Sequence, residues 1–326
     1  MTSRETVDLA FLPIHHDVLH KHYKELCAMF WTPEEIDYSK DRDDWNSLDE
    51  DTRFYVKQLL FLFSQLDGVI NENLLGNFVE ETSFLKDAAH FYAIQVANET
   101  IHNETYSVLI DTFITNLEEK SKGLDSIRNY PMIKAIGDWA YKWMNKEIPL
   151  VQRILAFACI EGVIFSSAFA GIYYIKRRFN KLQGLLKANE WIARDEGLHT
   201  QFAVDLYHII KTHPDLSEHN KQITQEQAYE IVKSAVEVCE NFTRTSMNVH
   251  LIGLNADEMV GYVETTADWV LHSFGFDKLY NTVNPLDWTA TIAFTGKTNF
   301  FEGKVTEYAR PIRLNDEVVD DEDVYF

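Results

Sequence analysis

The sequence predicts an all-α fold, a bundle of long helices closed around a buried di-metal carboxylate centre. Three observations lead there. Proline (7) and glycine (13) are scarce in a chain of 326 residues, which favours long helices over turn-rich sheet. Apolar residues recur at helical spacing through several long segments, and strand-like alternation is absent over any useful length. Four acids and two histidines, namely Asp67, Glu99, His102, Glu161, Glu196 and His199, fall on four of those segments.

Residues 1–15 read as irregular, with Pro13 ending that part. From about His16 to Phe30 a helix is expected, because Val18, Leu19, Tyr23, Leu26, Met29 and Phe30 recur on one face. Pro33, in FWTPEEID, stops that helix or opens a short one. SKDRDDWNSLDED reads as a polar connection leading to Asp51 or Thr52 as a helix cap. Helices are expected over Arg53 to about Phe63, Asp67 to Val79 and Phe84 to Leu117, and EEKSKGLDSIRNYP is the clearest loop. Residues 132–145 and 149–179 follow as helices, the second with Pro149 near its first position. Then come 181–212, ended by His213-Pro214, and two more at about 224–251 and 256–273.

The helical domain is expected to cover 1–295, and the tail over 296–326 differs from it in character. It ends in an acidic block (Asp316, Glu317, Asp320, Asp321, Glu322, Asp323) followed by Val324, Tyr325 and Phe326. Such a block has too few core residues to fold alone. It reads either as a solubilising end or as a recognition peptide with an apolar tip.

Composition excludes several function classes. A net charge of −21 argues against nucleic acid, whose phosphates call for clustered Lys and Arg, and against an anionic membrane surface. Cys27, Cys159 and Cys239 are odd in number and widely spaced, with no Cys-x-x-Cys pair. Neither a disulfide framework nor a thiolate zinc site follows, and a reducing, cytoplasmic setting is expected. Arg4, Glu5 and Asp8 interrupt any signal-peptide pattern at the start. The apolar run from Ile154 to Ile175 is long enough to span a bilayer. It carries Glu161, two adjacent serines and two glycines, however, and reads as a helix at the centre of a bundle.

The ligand set carries the chemistry. In QVANETIHNETY, Glu99 and His102 stand three apart and Tyr106 four further on, so all three share one helical face. Glu196 and His199 repeat the acid–histidine pair in WIARDEGLHT. A lone Glu-x-x-His is weak, since roughly one arises by chance in a chain this rich in both residues. Asp17/His20, Asp87/His90 and Asp205/His208 read as surface pairs on more polar helices. Glu161 is harder to set aside, because a buried carboxylate needs a cation and its own helix turn offers no Lys or Arg. A salt bridge to another helix is the alternative. Oxygen-rich sites with imidazole suit iron or manganese, and two Glu-x-x-His helices plus one carboxylate from each of two others is the pattern of ferritin-like di-metal bundles.

On these motifs the chain resembles the small, radical-generating subunit of class I ribonucleotide reductase, of the eukaryotic and viral Ia-like type. The matching stretches are SQLDGVINENL, ANETIHNETYSVLID, IEGVIFSSAF and ARDEGLH, with FWTPEEID near the start and GKTNFFE near the end. They occur in the family's order over nearly the whole chain. The resemblance implies that Asp67, Glu99 and His102 hold one metal and that Glu161, Glu196 and His199 hold the other. Glu99 and Glu196 would bridge. Two iron ions per chain are implied, with manganese as the other candidate. Tyr106 would carry a stable radical formed with dioxygen, in an apolar pocket that includes Phe165, Phe169 and Ile192. The bland reading of Tyr106 is a core tyrosine with a satisfied hydroxyl.

The resemblance also implies that Asp195 orients His102 and that Trp31 is hydrogen-bonded to Asp195. Tyr308, in TEYARP, would pass the oxidising equivalent to the large subunit, to which the C-terminal tail would bind. The bland readings are packing for Trp31, a helix salt bridge for Asp195 and an exposed aromatic for Tyr308. A homodimer is implied, with ribonucleotide reduction taking place on the large subunit. The alternative is a stand-alone di-metal oxidase of the same ferritin-like fold, which would not need Trp31, Asp195, Tyr308 or an acidic tail.

Overall fold

The computed structural model describes residues 10–249 and 251–291, which form helices and the turns between them. The tail, with Tyr308 in it, lies outside the described residues. Helix α1 (Asp17–Ala28) buries Leu19, His22 and Leu26, and Pro33–Glu35 forms the expected short helical turn.

The polar connection expected next is partly a helix, α2 (Asp41–Asn46), with Asp41 buried. Asp41 accepts backbone N–H bonds from Gly184 (2.9 Å) and Leu185 (2.7 Å), so its carboxylate caps a helix that begins some 140 residues later. Burial raises the Asp41 pKa and these two bonds oppose the rise. Local sequence registers the charge but not the distant helix that uses it.

The cap of the next helix is Asp49 and not Asp51 or Thr52. Its carboxylate accepts the Thr52 N–H at 2.8 Å and the Thr52 hydroxyl at 2.8 Å. From there α3 (Glu50–Asn73) runs unbroken through the expected gap at residues 64–66. The Ser64 hydroxyl donates back to the Phe61 carbonyl, so it sits in the helix without ending it. A wide π turn at Leu74–Phe78 closes α3.

Helix α4 (Lys86–Phe113) follows as expected. The expected loop at 118–131 is instead helical, as α5 (Leu117–Leu124) and a single turn at Ser126–Asn129. Asn116 caps α5 by accepting the Glu119 N–H at 2.9 Å. A Cβ on Gly123 would sit 2.1 Å from the Phe61 ring, so the polar run is docked closely on α3.

Helices α6 (Pro131–Trp143), α7 (Leu150–Phe179), α8 (Gln183–Thr212), α9 (Gln225–Ser246) and α10 (Ala256–Ser273) complete the bundle. Of these, α9 stops five residues short of the expected end. Helix α7 is the chain's one candidate membrane span among the described residues, and its apolar window is wholly buried inside the protein. It packs against α8, α9 and α10, which accounts for a helix apolar on every side. Gly162 permits this approach, since a Cβ there would lie 3.0 Å from Val270 and 3.1 Å from Thr200.

Candidate metal centre

Four helices deliver the predicted ligand set to one buried place. Helix α3 carries Asp67, α4 carries Glu99 and His102, α7 carries Glu161 and α8 carries Glu196 and His199. All six are buried, Glu161 being the most exposed at 3%. Glu161 lies in a second π turn, Ile160–Ile164, which interrupts α7 at its middle. Such turns recur at functional sites.

Glu99 and Glu196 lie between the two imidazoles. His102 Nδ1 is 3.0 Å from Glu196 Oε1 and 3.6 Å from Glu99 Oε2. His199 Nδ1 is 3.0 Å from Glu196 Oε2 and 3.1 Å from Glu99 Oε1. Ligand atoms of Glu99, Glu161, Glu196 and His199 all fall within 4.8 Å of one another. Gln95 donates to Glu161 Oε1 at 2.9 Å and to Glu99 Oε1 at 3.5 Å, tying the α7 acid to the α4 acid. Both Asp67 oxygens, Glu99 Oε2 and His199 Nε2 have no hydrogen-bond partner.

The electrostatics fit a centre built for cations. Burial, with Glu99 adding to it, pushes the Asp67 pKa well above the carboxylate range, and burial does the same to Glu161. Burial also penalises Glu99, but hydrogen bonds from His102 and His199 outweigh it and hold its pKa at about 2. Burial alone would lower both histidines. Hydrogen bonds that its ring donates to Asp195, Glu196 and Glu99 raise His102 instead, and the charges of Glu196 and Glu99 with the bonds they accept raise His199. The imidazoles thus supply the positive charge that the clustered acids demand. Two divalent ions would balance the four carboxylates with both imidazoles neutral. The unpartnered oxygens of Asp67 and Glu99 are donors of the kind such ions bind, so the residues fit a di-metal group.

Around this set lies a hydrogen-bonded shell. Asp195 is buried beside His102, with His102 Nε2 at 3.3 Å from its Oδ2. The same oxygen accepts the Trp31 indole N–H at 2.7 Å and an Asn98 amide N–H at 3.3 Å. Arg194 donates to the other oxygen at 3.0 Å. Burial works against the Asp195 charge, but Arg194, His102 and Trp31 together lower its pKa. Trp31 also stacks on His102, with ring centroids 6.0 Å apart.

Tyr106 sits one helical turn past His102 and is 1% exposed, its hydroxyl without a partner. Its ring lies flat on Phe63, with centroids at 4.6 Å and planes 3° apart, and Phe165 and Phe169 pack against Phe63 as well. Burial, then Asp67, raises the phenol pKa well above its ordinary value. Ile192 is buried as well. Phe63, Gln95, Asn98 and Arg194 escaped the sequence reading. Phe63 is one of many core phenylalanines, and the other three are polar residues on helices that show no spacing signal.

Two of the remaining acid–histidine pairs, Asp87/His90 and Asp205/His208, are not simple surface pairs. Asp87 is buried and accepts the backbone N–H of His15 (3.0 Å) and His16 (2.8 Å), while His90 stacks on Phe11. Asp205 pairs with His22 of α1 at 2.7 Å and not with His208.

The chain is similar to known proteins over most of its length. The family model for the ribonucleotide reductase small chain matches residues 8–285. A ribonucleoside-diphosphate reductase small chain from Vaccinia virus (strain Ankara) is 40% identical over 91% of this chain and 90% of its own length. One from Nicotiana tabacum is 38% identical over 91% and 87%. Among solved structures, the ribonucleotide reductase Rnr4 homodimer from Saccharomyces cerevisiae superposes with a TM-score of 0.75 at 28% identity, covering 86% of each chain.

Proposed function

The chain belongs to the ribonucleotide reductase small-chain family, and from that premise we propose which residues perform its part of ribonucleoside-diphosphate reduction. It is the small subunit of that oxidoreductase, and the relatives give no support to a stand-alone di-metal oxidase. Asp67, Glu99 and His102 would hold one metal ion and Glu161, Glu196 and His199 the other; Glu99 and Glu196, which lie between both imidazoles, would be shared by the two. The metals are two irons per chain, with manganese admitted by the same donor set. When bound and reduced, such a pair reacts with dioxygen and supplies a one-electron oxidant.

The residues do the rest. Asp195 keeps the His102 proton on Nε2, which leaves Nδ1 as a lone-pair donor facing the centre. Gln95 fixes Glu161. Tyr106 stays protonated until oxidised, so it gives up its proton together with the electron. Phe63, Phe165 and Phe169 exclude water from the phenoxyl group that results. Trp31 and Asp195 connect His102 to the outside, and Tyr308 hands the equivalent to the large subunit, where nucleotides are reduced.

The helical domain ends near 295. The tail over 296–326 docks on the large subunit by its apolar tip, and deleting its last seven residues is expected to weaken that association while leaving the metals bound. A homodimer is supported by the yeast relative. Three free thiols fit a reducing cytoplasm.

The observation that carries this reading is the convergence of four buried carboxylates and two imidazoles from four helices. Metal analysis of protein loaded with Fe(II) tests it. About two irons per chain are expected, and close to none in Glu161→Ala with its helical spectrum intact. Full metal binding in that variant would contradict the assignment.

A further inference from the structure

The chain carries 51 acidic against 30 basic residues, yet no acid stands between Glu161 and Glu190. Five cations fall in that stretch: Lys176, Arg177, Arg178, Lys181 and Lys187. Lys176, Arg177 and Arg178 are exposed together in the last turn of α7. A helix dipole favours cations there, but these are left open. Among the described residues Lys176 and Arg178 have no ion-pair partner, and the Arg178 guanidinium lies 5.3 Å over the Phe179 ring. The acids nearby are engaged by backbone: Asp44 accepts the Leu182 N–H at 2.9 Å, and Asp41 accepts those of Gly184 and Leu185. Lys181 donates to Ser47 at 2.6 Å, and Lys187 pairs with Glu190 at 3.5 Å. A strip of open positive charge thus stands at the end of α7 on a molecule of net charge −21.

The chain returns to this strip. Arg177 lies 3.7 Å from Asp287 and 5.6 Å from the Trp288 ring centroid, just before the described residues end at 291. The tail therefore starts beside the strip. A linker from 291 to 316 spans roughly 25–30 Å as a flexible coil, enough to fold back to its own starting point. The block that follows (Asp316, Glu317, Asp320, Asp321, Glu322, Asp323) has six carboxylates and no cation among them. Tethered at that range, its local concentration is of millimolar order.

We propose that the acidic block of the chain's own tail docks on the Lys176, Arg177 and Arg178 strip, and that the large subunit displaces it when it takes the tail. The second half rests on the function proposed above, and the first does not. A contact between exposed charges is weak one pair at a time and screened by salt, so it yields to a partner. It leaves Val324, Tyr325 and Phe326 outside the charged contact, free for an apolar groove on the large subunit. Drawing that tip into the groove breaks the block's contacts with α7, so the strip holds back the association.

Zero-length crosslinking of the full chain tests this without a large subunit. A carbodiimide joins a carboxylate to a lysine amine with loss of water, and mass spectrometry identifies the linked peptides. Links from the block to Lys176 are expected in excess of links to Lys142 and Lys233, which are also exposed. They are expected to fall about tenfold between about 0.02 M and about 0.5 M salt. Arg177→Glu with Arg178→Glu keeps Lys176 as the reporter and is expected to reduce the links by a similar factor. Asp320→Asn with Asp321→Asn changes no residue of the helices and is expected to weaken the Glu322 links to Lys176. The proposal is overturned by the absence of such links, by links spread evenly over exposed lysines, or by links that survive salt and charge reversal. Links found only between light and heavy-isotope chains, mixed in equal amounts, would place the block on a second copy and overturn it too.

With the large subunit added, the Arg177→Glu, Arg178→Glu variant is expected to associate severalfold more tightly than wild type, and unchanged affinity would overturn the displacement. A block that links to Lys176, in a protein whose association survives deletion of the last seven residues, would refute the tail's role in the functional reading alone.

Discussion

At the scale of single residues, Asp195 shows how much one carboxylate organises. It accepts from Trp31, Asn98 and Arg194 and lies against His102 Nε2, so every partner fixes the imidazole's tautomer and tilt. Asp195→Asn keeps the size of the side chain and removes the charge. Fe(II) affinity, followed by titration, is expected to fall by about 10–100-fold, and an unchanged affinity would show that the charge does not position the ligand. The buried cluster of four acids and two histidines was legible in the sequence because carboxylates and imidazoles at helical spacing in a core are costly unless used. Asp41 and Asp87 were not. Each is buried as a cap for backbone N–H groups far away in sequence, and local composition gives such a residue the look of a surface charge. Phe63, the ring on which Tyr106 lies, is hidden for the opposite reason, since nothing distinguishes it from the core around it.

At the scale of elements, long apolar periodicity located α4, α7, α8 and α10, while polar stretches misled. The run at 118–131 is helical because Asn116 caps it and Gly123 lets it lie on Phe61, neither of which is a periodic signal. The break expected at residues 64–66 does not occur, because the helix accommodates Ser64, whose hydroxyl bonds back to the Phe61 carbonyl. The true start of α3 offers a direct check. Burial opposes the Asp49 charge, but the Thr52 N–H and hydroxyl together hold its pKa below the ordinary value. A lowered carboxylate pKa stabilises the fold above the unfolded-state value of about 3.9, and that contribution disappears as pH falls through the lowered one. Asp49→Ala is therefore expected to cost about 1 kcal/mol near neutral pH and progressively less below about pH 4. Denaturant unfolding at several pH values measures this, and a cost independent of pH would mean that the capping charge contributes nothing.

At the scale of the whole molecule, a helical bundle, a family and a buried cluster of acids and histidines describe one object. The central helix α7 is apolar all round because α3, α6, α8, α9 and α10 all pack against it, and it places its single carboxylate at the buried cluster of acids and histidines. The fold class was legible from scarce glycine and proline together with helical periodicity. The wide turn that presents Glu161 was not, because a π turn leaves no mark in apolar spacing. The central claim is that this bundle exists to oxidise Tyr106 and to keep the product dry. Electron paramagnetic resonance of protein loaded with Fe(II) and exposed to air tests it most directly, with wild type and Tyr106→Phe compared at equal iron content. The account predicts an organic radical signal in wild type that is absent from Tyr106→Phe, while iron binding and dioxygen uptake persist in both. A radical signal that survives in Tyr106→Phe, or wild-type protein that binds its iron and consumes dioxygen without giving one, would contradict it.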